Sequence, residues 1–424
     1  MNFNKRRWKH YIRYLTDRFK EVQMISIGID VSKGKSMVCI CSVQKMLVSP
    51  YEIQHTRTAL QDLIQSIQSY SEECKVVLEA TGIYHLPVLL SLHEAGIFVC
   101  VVNPMLMKKY IASSSIRKAK TDRADAIRIA QYGLDHWFHL QNYMLANDTY
   151  EQLRLLGRQY ERYTNMKVAS KQTLDILLNQ TMPGIKTLVR SKKTSKPEQD
   201  KLCDFVEKYW HYDLILKQSE QQFISSYCSW AKKKGYRPSA TKAQEIYAAA
   251  QNSIPTLSSK TASSKMLVLE AVRVLKEINR TLHRILTQMQ ELATALPEYS
   301  VIREMNGIGD VLAVRFIAEI GDIRRFHCGS ALVAYAGIDS PPYQSGTFSA
   351  TRRKISKRGS PILRKIGFDA MKILKSVKPT QDDAVYRYIL KKEAEGKPLK
   401  VAKIAGLNKF LRIYYARVSA VCNC

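Results

Sequence analysis

The chain has 424 residues, with 66 Lys+Arg against 37 Asp+Glu and a formal net charge of +29. That balance favours a polyanionic partner, DNA, RNA or an anionic membrane. No apolar run approaches the length of about eighteen residues that a spanning helix needs, and the basic start (Lys5, Arg6, Arg7, Lys9) is not followed by the apolar stretch of a signal peptide. A membrane protein is therefore set aside and a cytoplasmic location expected. The nine cysteines form no C-x-x-C pair, so neither a zinc ribbon nor a disulfide framework is supported, and reduced core thiols are expected.

From Met24 the pattern is that of an α/β domain. Met24–Asp30 reads as an apolar strand, Ser32–Lys35 as a turn, and Ser36–Val43 as its hairpin partner. Leu60, Leu63, Ile64 and Ile67 recur at helical spacing after Thr56. Lys75–Glu79 is a second buried strand, Leu86–Ala95 a helix ending at Gly96, and Ile97–Val102 a further strand stopped by Asn103-Pro104. This order is that of a ribonuclease-H-like (RuvC-like) sheet. Asp30 and Glu79 then end neighbouring strands, and Asp122 and Asp125 share one face of a helix starting near Thr121.

Four clustered acids in so basic a chain point to metal. Mg²⁺ takes carboxylate oxygens at roughly 2.0–2.1 Å, and two ions about 4 Å apart can assist in-line displacement at phosphorus. Mg²⁺, with Mn²⁺ as substitute, is the expected cofactor, held by Asp30, Glu79, Asp122 and Asp125.

Farther on, Leu153, Leu156, Tyr160, Tyr163, Leu174 and Leu177 mark one long helix. Val268, Ala271, Leu275, Ile278, Leu282, Ile285, Met289, Leu292 and Leu296 alternate three and four apart until Pro297. The second run reads as a coiled-coil seam, either pairing with the first helix as a hairpin or joining two protomers. Lys192–Lys201 reads as an exposed loop. Gly307-Ile-Gly309 between apolar helices resembles a helix-hairpin-helix turn, where glycines let backbone N–H groups approach a phosphate. Arg352, Arg353, Lys354, Lys357, Arg358, Arg364 and Lys365 then form a dense basic stretch expected to contact nucleic-acid backbone.

Taken together, three runs resemble the acidic motifs of the DEDD transposases of insertion sequences. They are Ile27-Gly-Ile-Asp30-Val-Ser-Lys33, Leu78-Glu79-Ala-Thr-Gly82 and Lys120-Thr-Asp122-Arg-Ala-Asp125-Ala126. Toward the other end, Met305-Asn-Gly-Ile-Gly-Asp310, Glu319-Ile-Gly-Asp322, Tyr335-Ala-Gly337, Tyr343-Gln-Ser-Gly346 and Ile355-Ser-Lys-Arg-Gly359 resemble that family's C-terminal transposase domain. The resemblance runs from about Met24 to Leu374, departing at the N-terminal extension and in a long middle. It implies a RuvC-like catalytic domain, donor and target DNA as substrates, a structured guide (bridge) RNA as partner, and a serine nucleophile at Ser345. No histidine lies beside Ser345, His327 being the nearest in sequence, so the metals are expected to activate it in a site composed from two domains.

The expected fold class is α/β plus α. The expected segments are a basic extension (1–23), a RuvC-like DEDD domain (24–147), a helical coiled-coil region (148–297), a C-terminal transposase domain (298–392) and a tail (393–424). The expected function is an RNA-guided DNA transposase or recombinase acting as a homo-oligomer, a dimer or tetramer. The alternatives are a RuvC-like metal-dependent endonuclease or junction resolvase, and a non-catalytic RNA-binding regulator.

Overall fold

A computed structural model describes residues 24–80, 82–114, 121–143, 148–190, 199–340, 344–345, 348–349, 354–379 and 383–422. The expected extension over 1–23 lies outside them, as do Arg352 and Arg353, most of the 192–201 loop, and Thr81 and Lys120 of the acidic motifs. The chain divides into two compact units, Met1–Leu145 and Ala146–Cys424.

The first unit is built on a five-stranded sheet in the order β3-β2-β1-β4-β5. Its strands are β1 (Met24–Ser32), β2 (Lys35–Ser42), β3 (Met46–Gln54), β4 (Glu73–Glu79) and β5 (Val99–Val102). β2 pairs antiparallel with both β1 and β3, whereas β4 runs parallel to β1 and to β5. This order and polarity are ribonuclease-H-like. β1 is central and apolar on both faces, hence its near-continuous burial. β3 is absent from the pattern reading, because it carries Pro50 and is mostly half-exposed; at a sheet edge a proline costs no ladder bond. On one face Ile25, Ile27, Ile29, Val76 and Leu78 pack with apolar residues of α1 (Arg57–Gln68) and α2 (Leu86–Glu94). α3 (Pro104–Ser114) starts on the proline expected only to stop a strand, a residue suited to a first helical turn. It lies on the other face with α4 (Asp122–Asp135), where Met107 and Ile129 meet Val77 and Val102.

The second unit is helical apart from β6 (Gln344–Ser345) and β7 (Phe348–Ser349). Two long helices, α5 (Asp148–Thr181) and, after five shorter ones, α11 (Ala262–Thr294), form an antiparallel pair. Leu174 and Leu178 share a core with Val268, Val272 and Leu275, while Tyr150 and Leu153 share another with Met289 and Ala293. The seam residues Val268, Leu275, Ile278, Leu282 and Met289 are buried within the single chain. The first of those cores is completed by aromatics of α7 (Lys201–Lys208), α8 (Tyr212–Leu216) and α9 (Glu220–Lys233), among them Phe205, Tyr212, Phe223, Tyr227 and Trp230, with α6 (Ile185–Leu188) and α10 (Ala240–Asn252) around them. The exposed-loop expectation ends early, because Asp200 caps α7 and Lys201 is its first residue.

The second core gathers α12 (Pro297–Arg303), α13 (Asp310–Ile320), α14 (Gly329–Tyr335), α15 (Pro361–Val377), α16 (Ala384–Ala394) and α17 (Leu399–Cys422). Residues 393–424, expected as a tail, instead hold α17, whose Ala402, Leu407, Phe410, Leu411, Tyr414 and Val418 are buried in this core. Leu282→Asp puts a carboxylate into the α11 seam and is expected to destabilise the fold by about 3–5 kcal/mol, the cost of a lost core leucine and an unpaired acid. Urea unfolding measures this; an unchanged midpoint would show that the position is not a core one in solution.

Candidate functional site

Strand register brings Asp30 and Glu79 together. Ile29 pairs with Leu78 across the parallel β1–β4 ladder, so Asp30 and Glu79 stand one step further, level on adjacent strands. Both are half-buried. Alternation puts Asp30 on the face of Gly28 and Glu79 on that of Val77, and this is the face α4 covers. A methyl group at Gly28 would collide with the backbone of Ala126 and Ala130, and one at Gly133 with Ser26 and Val77. The helix therefore lies directly on β1 and runs against it, Gly133 over Ser26 and Ala126 over Gly28. Its N-terminus points to the strand end that carries Asp30.

The helix start is locally specified. Thr121 is extended and its Oγ1 accepts from the Ala124 N–H at 3.2 Å, leaving Asp122 and Asp125 in the first turn, where the helix dipole favours acids. Asp122 is exposed and Asp125 half-buried. Asp122 is near enough to Lys35 to contribute to holding that ammonium above its ordinary value, after the larger effects of the hydrogen bond and charge of Glu52. Asp125 accepts from Arg128 Nη1 at 2.9 Å.

The donor chemistry of Asp30, Glu79, Asp122 and Asp125 suits a hard divalent cation, and the backbone directs all four toward one end of β1. Their side chains are not gathered around a point: among the described residues no group of three His, Cys, Asp or Glu forms a ready metal cluster. Asp125 is paired with Arg128 of its own helix.

In the second unit Ser345 lies in β6, paired antiparallel with β7 through Ser345–Phe348 and Gln344–Ser349. Tyr343 and Gly346 of its motif lie outside the described residues. The described segments before and after these two strands are joined to each other. The Ser356 N–H donates to Asp339 O at 2.8 Å, the Lys357 N–H to Gly337 O at 3.0 Å, and the Ser360 N–H to Tyr335 O at 2.6 Å. Beneath lies Glu319, a buried carboxylate that accepts from the Ser360 hydroxyl at 2.5 Å. In the sequence Glu319 stands only as the first residue of a C-terminal motif, with no role attached, and Ser360 carries no signal beyond preceding Pro361 at a helix start.

The basic residues divide. Lys354, Lys357 and Arg358 are exposed. Arg364 instead donates to Ala336 O at 2.9 Å, and Lys365 pairs at 2.9 Å with the buried Glu161, which Arg315 also contacts. Burial pushes the Glu161 carboxyl up, but the hydrogen bonds and charges of Lys365 and Arg315 outweigh it and hold it below its usual range. Gly307, at φ +84°, turns the chain against Leu374 and Ala370, and Gly309 precedes α13. Asp310 stands in the first turn of that helix, paired with Arg303 at 2.8 Å.

Residues 27–183 match a family model described as "Transposase", that of the DEDD transposases of IS110, and residues 299–387 match one described as "Transposase IS116/IS110/IS902 family". Together they cover more than half of the chain, and residues 184–298 fall between them. Two solved structures are similar, one described as the Thermus thermophilus RuvC structure and one as T. thermophilus RuvC in complex with Holliday junction substrate. Each is 16% identical and covers 27% of this chain and 96% of its own, with TM-scores of 0.23 and 0.22 respectively. Curated proteins gave no match.

Gly28→Ala is expected to cost about 3 kcal/mol, because the added methyl meets backbone and α4 must lift. Thermal unfolding should show the loss, and wild-type stability would mean that α4 does not rest on β1 this closely.

Proposed function

The chain belongs to the IS110 family of DEDD transposases, enzymes that act on DNA, and we propose that it joins donor to target DNA through a Mg²⁺ site of four carboxylates and the Ser345 nucleophile, guided by a structured RNA. The observation that carries the reading is the level placement of Asp30 and Glu79 at the strand end toward which α4 brings Asp122 and Asp125. These four would hold the divalent ion. When bound, it would neutralise charge building at phosphorus and favour ionisation of the attacking hydroxyl.

The residues' own steps are these. The Ser345 hydroxyl attacks a DNA phosphorus, forming an Oγ–P ester as the P–O bond to the departing strand breaks. The proton lost by the serine is balanced by one taken up on the departing strand's oxygen, which leaves as a hydroxyl. A hydroxyl of the incoming strand then displaces the serine, joining DNA and restoring Ser345. Ester exchange conserves the number of phosphodiesters, so strand joining needs no external energy source. Exposed Lys354, Lys357 and Arg358, with Arg352 and Arg353 of the same stretch, hold the backbone phosphates of DNA or RNA. The net charge of +29 supports large polyanionic partners, and the working form is a homo-oligomer, a dimer or tetramer. No described helix is long and apolar enough to cross a membrane.

Ser345→Ala is expected to retain nucleic-acid binding and lose strand exchange, while Asp30→Asn lowers cleavage by about 10³-fold or more, the size of effect seen when a group acting on transition-state charge is removed. Denaturing a reaction and digesting it should yield DNA on a peptide containing Ser345. Strand exchange by Ser345→Ala, or an adduct at Tyr343, would reject the serine, and full activity of Asp30→Asn in Mg²⁺ would reject the metal site.

A further inference from the structure

Cys39 and Cys41 stand two residues apart on β2 and therefore share a face of the sheet. Both are buried, packed with Ala126 and Ala130 of α4. Their sulfurs lie 3.6 Å apart, and Cys39 Sγ also lies 3.7 Å from the Val48 carbonyl oxygen. The β2–β3 register shifts between Val38 and Ile40 and again between Ile40 and Cys41, an irregularity that bends a strand where the pair sits. Cys41 also lines a cavity of about 580 Å³, with Lys45, Tyr110 and Gln131 among its walls, so the residue borders a space that a small solute can enter.

We propose that Cys39 and Cys41 are a modification site, a dithiol that a hydroperoxide oxidises to a disulfide within β2. The two roles differ by sulfur. Cys41 borders the cavity, and its contact with Cys39 draws its thiol below its ordinary value while that of Cys39 is pushed up. Cys41 is thus the thiolate former and lines the cavity, while Cys39 is the resolving partner.

The Cys41 thiolate attacks one peroxide oxygen, the O–O bond breaks, and the other oxygen leaves as hydroxide, which takes up the proton that Cys41 released and becomes water. Cys41 is then a sulfenic acid. Cys39 attacks its sulfur, the S–O bond breaks, and that hydroxyl leaves as water with the Cys39 proton. Two thiols and one hydrogen peroxide give one disulfide and two waters, sulfur being oxidised and peroxide reduced. Closure needs a sulfur approach of about 1.5 Å, from contact to the S–S bond length of about 2.05 Å. The bond would form against Ala126 and Ala130, the residues that seat α4 on β1.

Both cysteines fall in one tryptic peptide, Ser36–Lys45. Full-length folded protein is treated with hydrogen peroxide, alkylated, digested and weighed. The expected product is this peptide lighter by two hydrogens and without alkyl groups, returned to the doubly alkylated form by prior dithiothreitol. Cys39→Ser should stop at a Cys41 sulfenic acid captured by dimedone, and Cys41→Ser should leave Cys39 alkylatable. Two alkyl groups on the wild-type peptide after peroxide treatment that oxidises other thiols of the chain would overturn the proposal. So would a disulfide joining either cysteine to a different peptide.

Discussion

The first unit depends on the close contact of α4 with β1, which is backbone against backbone at Gly28 and meets only the small Ser26 side chain and Val77 at Gly133. Most helices rest on a sheet through interlocking side chains, whereas here Gly28 exposes strand backbone to the helix, with Ala126 and Ala130 above it and Gly133 over Ser26. The consequence is directional. A helix held this close along β1 ends where β1 ends, so its capped first turn faces the strand termini that carry Asp30 and Glu79. The placement of the acids follows from backbone packing before any side-chain preference enters.

Electrostatics act on that scaffold in two ways. Acids at the start of α4 are favoured by the helix dipole, yet four of them in one region repel each other unless a cation is shared. Asp125 meets part of that demand through Arg128, and Asp122 lies near Lys35. In the second unit cations and acids pair for structure. Glu161 is buried and would be costly alone; Arg315 and Lys365 neutralise it, binding α5 to α13 and α15. Positive charge available to nucleic acid is thereby smaller than a count of the basic stretch suggests.

Much of the first unit was legible because its signals are local. Strand alternation, Gly96 after α2 and the Thr121 cap can each be read from a few residues, and β1 and β4 could be aligned from their acidic ends. The proline in β3 hid an edge strand, since only pairing shows that its missing N–H costs nothing. Gly28 stood in a recognised motif, but its packing role depends on residues about a hundred positions away. Lys365 read as free positive charge because Glu161 lies far from it in sequence. α17 read as a tail because small residues, Ala402 and Gly406, dilute its apolar stripe; Gly406 admits Ile389 to close contact. The heptad pattern of α11 gave the seam residues but not their partner, which α5 supplies.

The central claim is that the four acids at the end of β1 hold a divalent cation. Mn²⁺ binding followed by electron paramagnetic resonance tests it directly, because free aqueous Mn²⁺ gives a signal that ligation suppresses, independent of DNA, RNA or turnover. The account predicts that wild-type protein removes the free signal and that the double variant Asp30→Asn, Glu79→Gln restores it while keeping its fold. Equal suppression by wild type and that folded variant would contradict it.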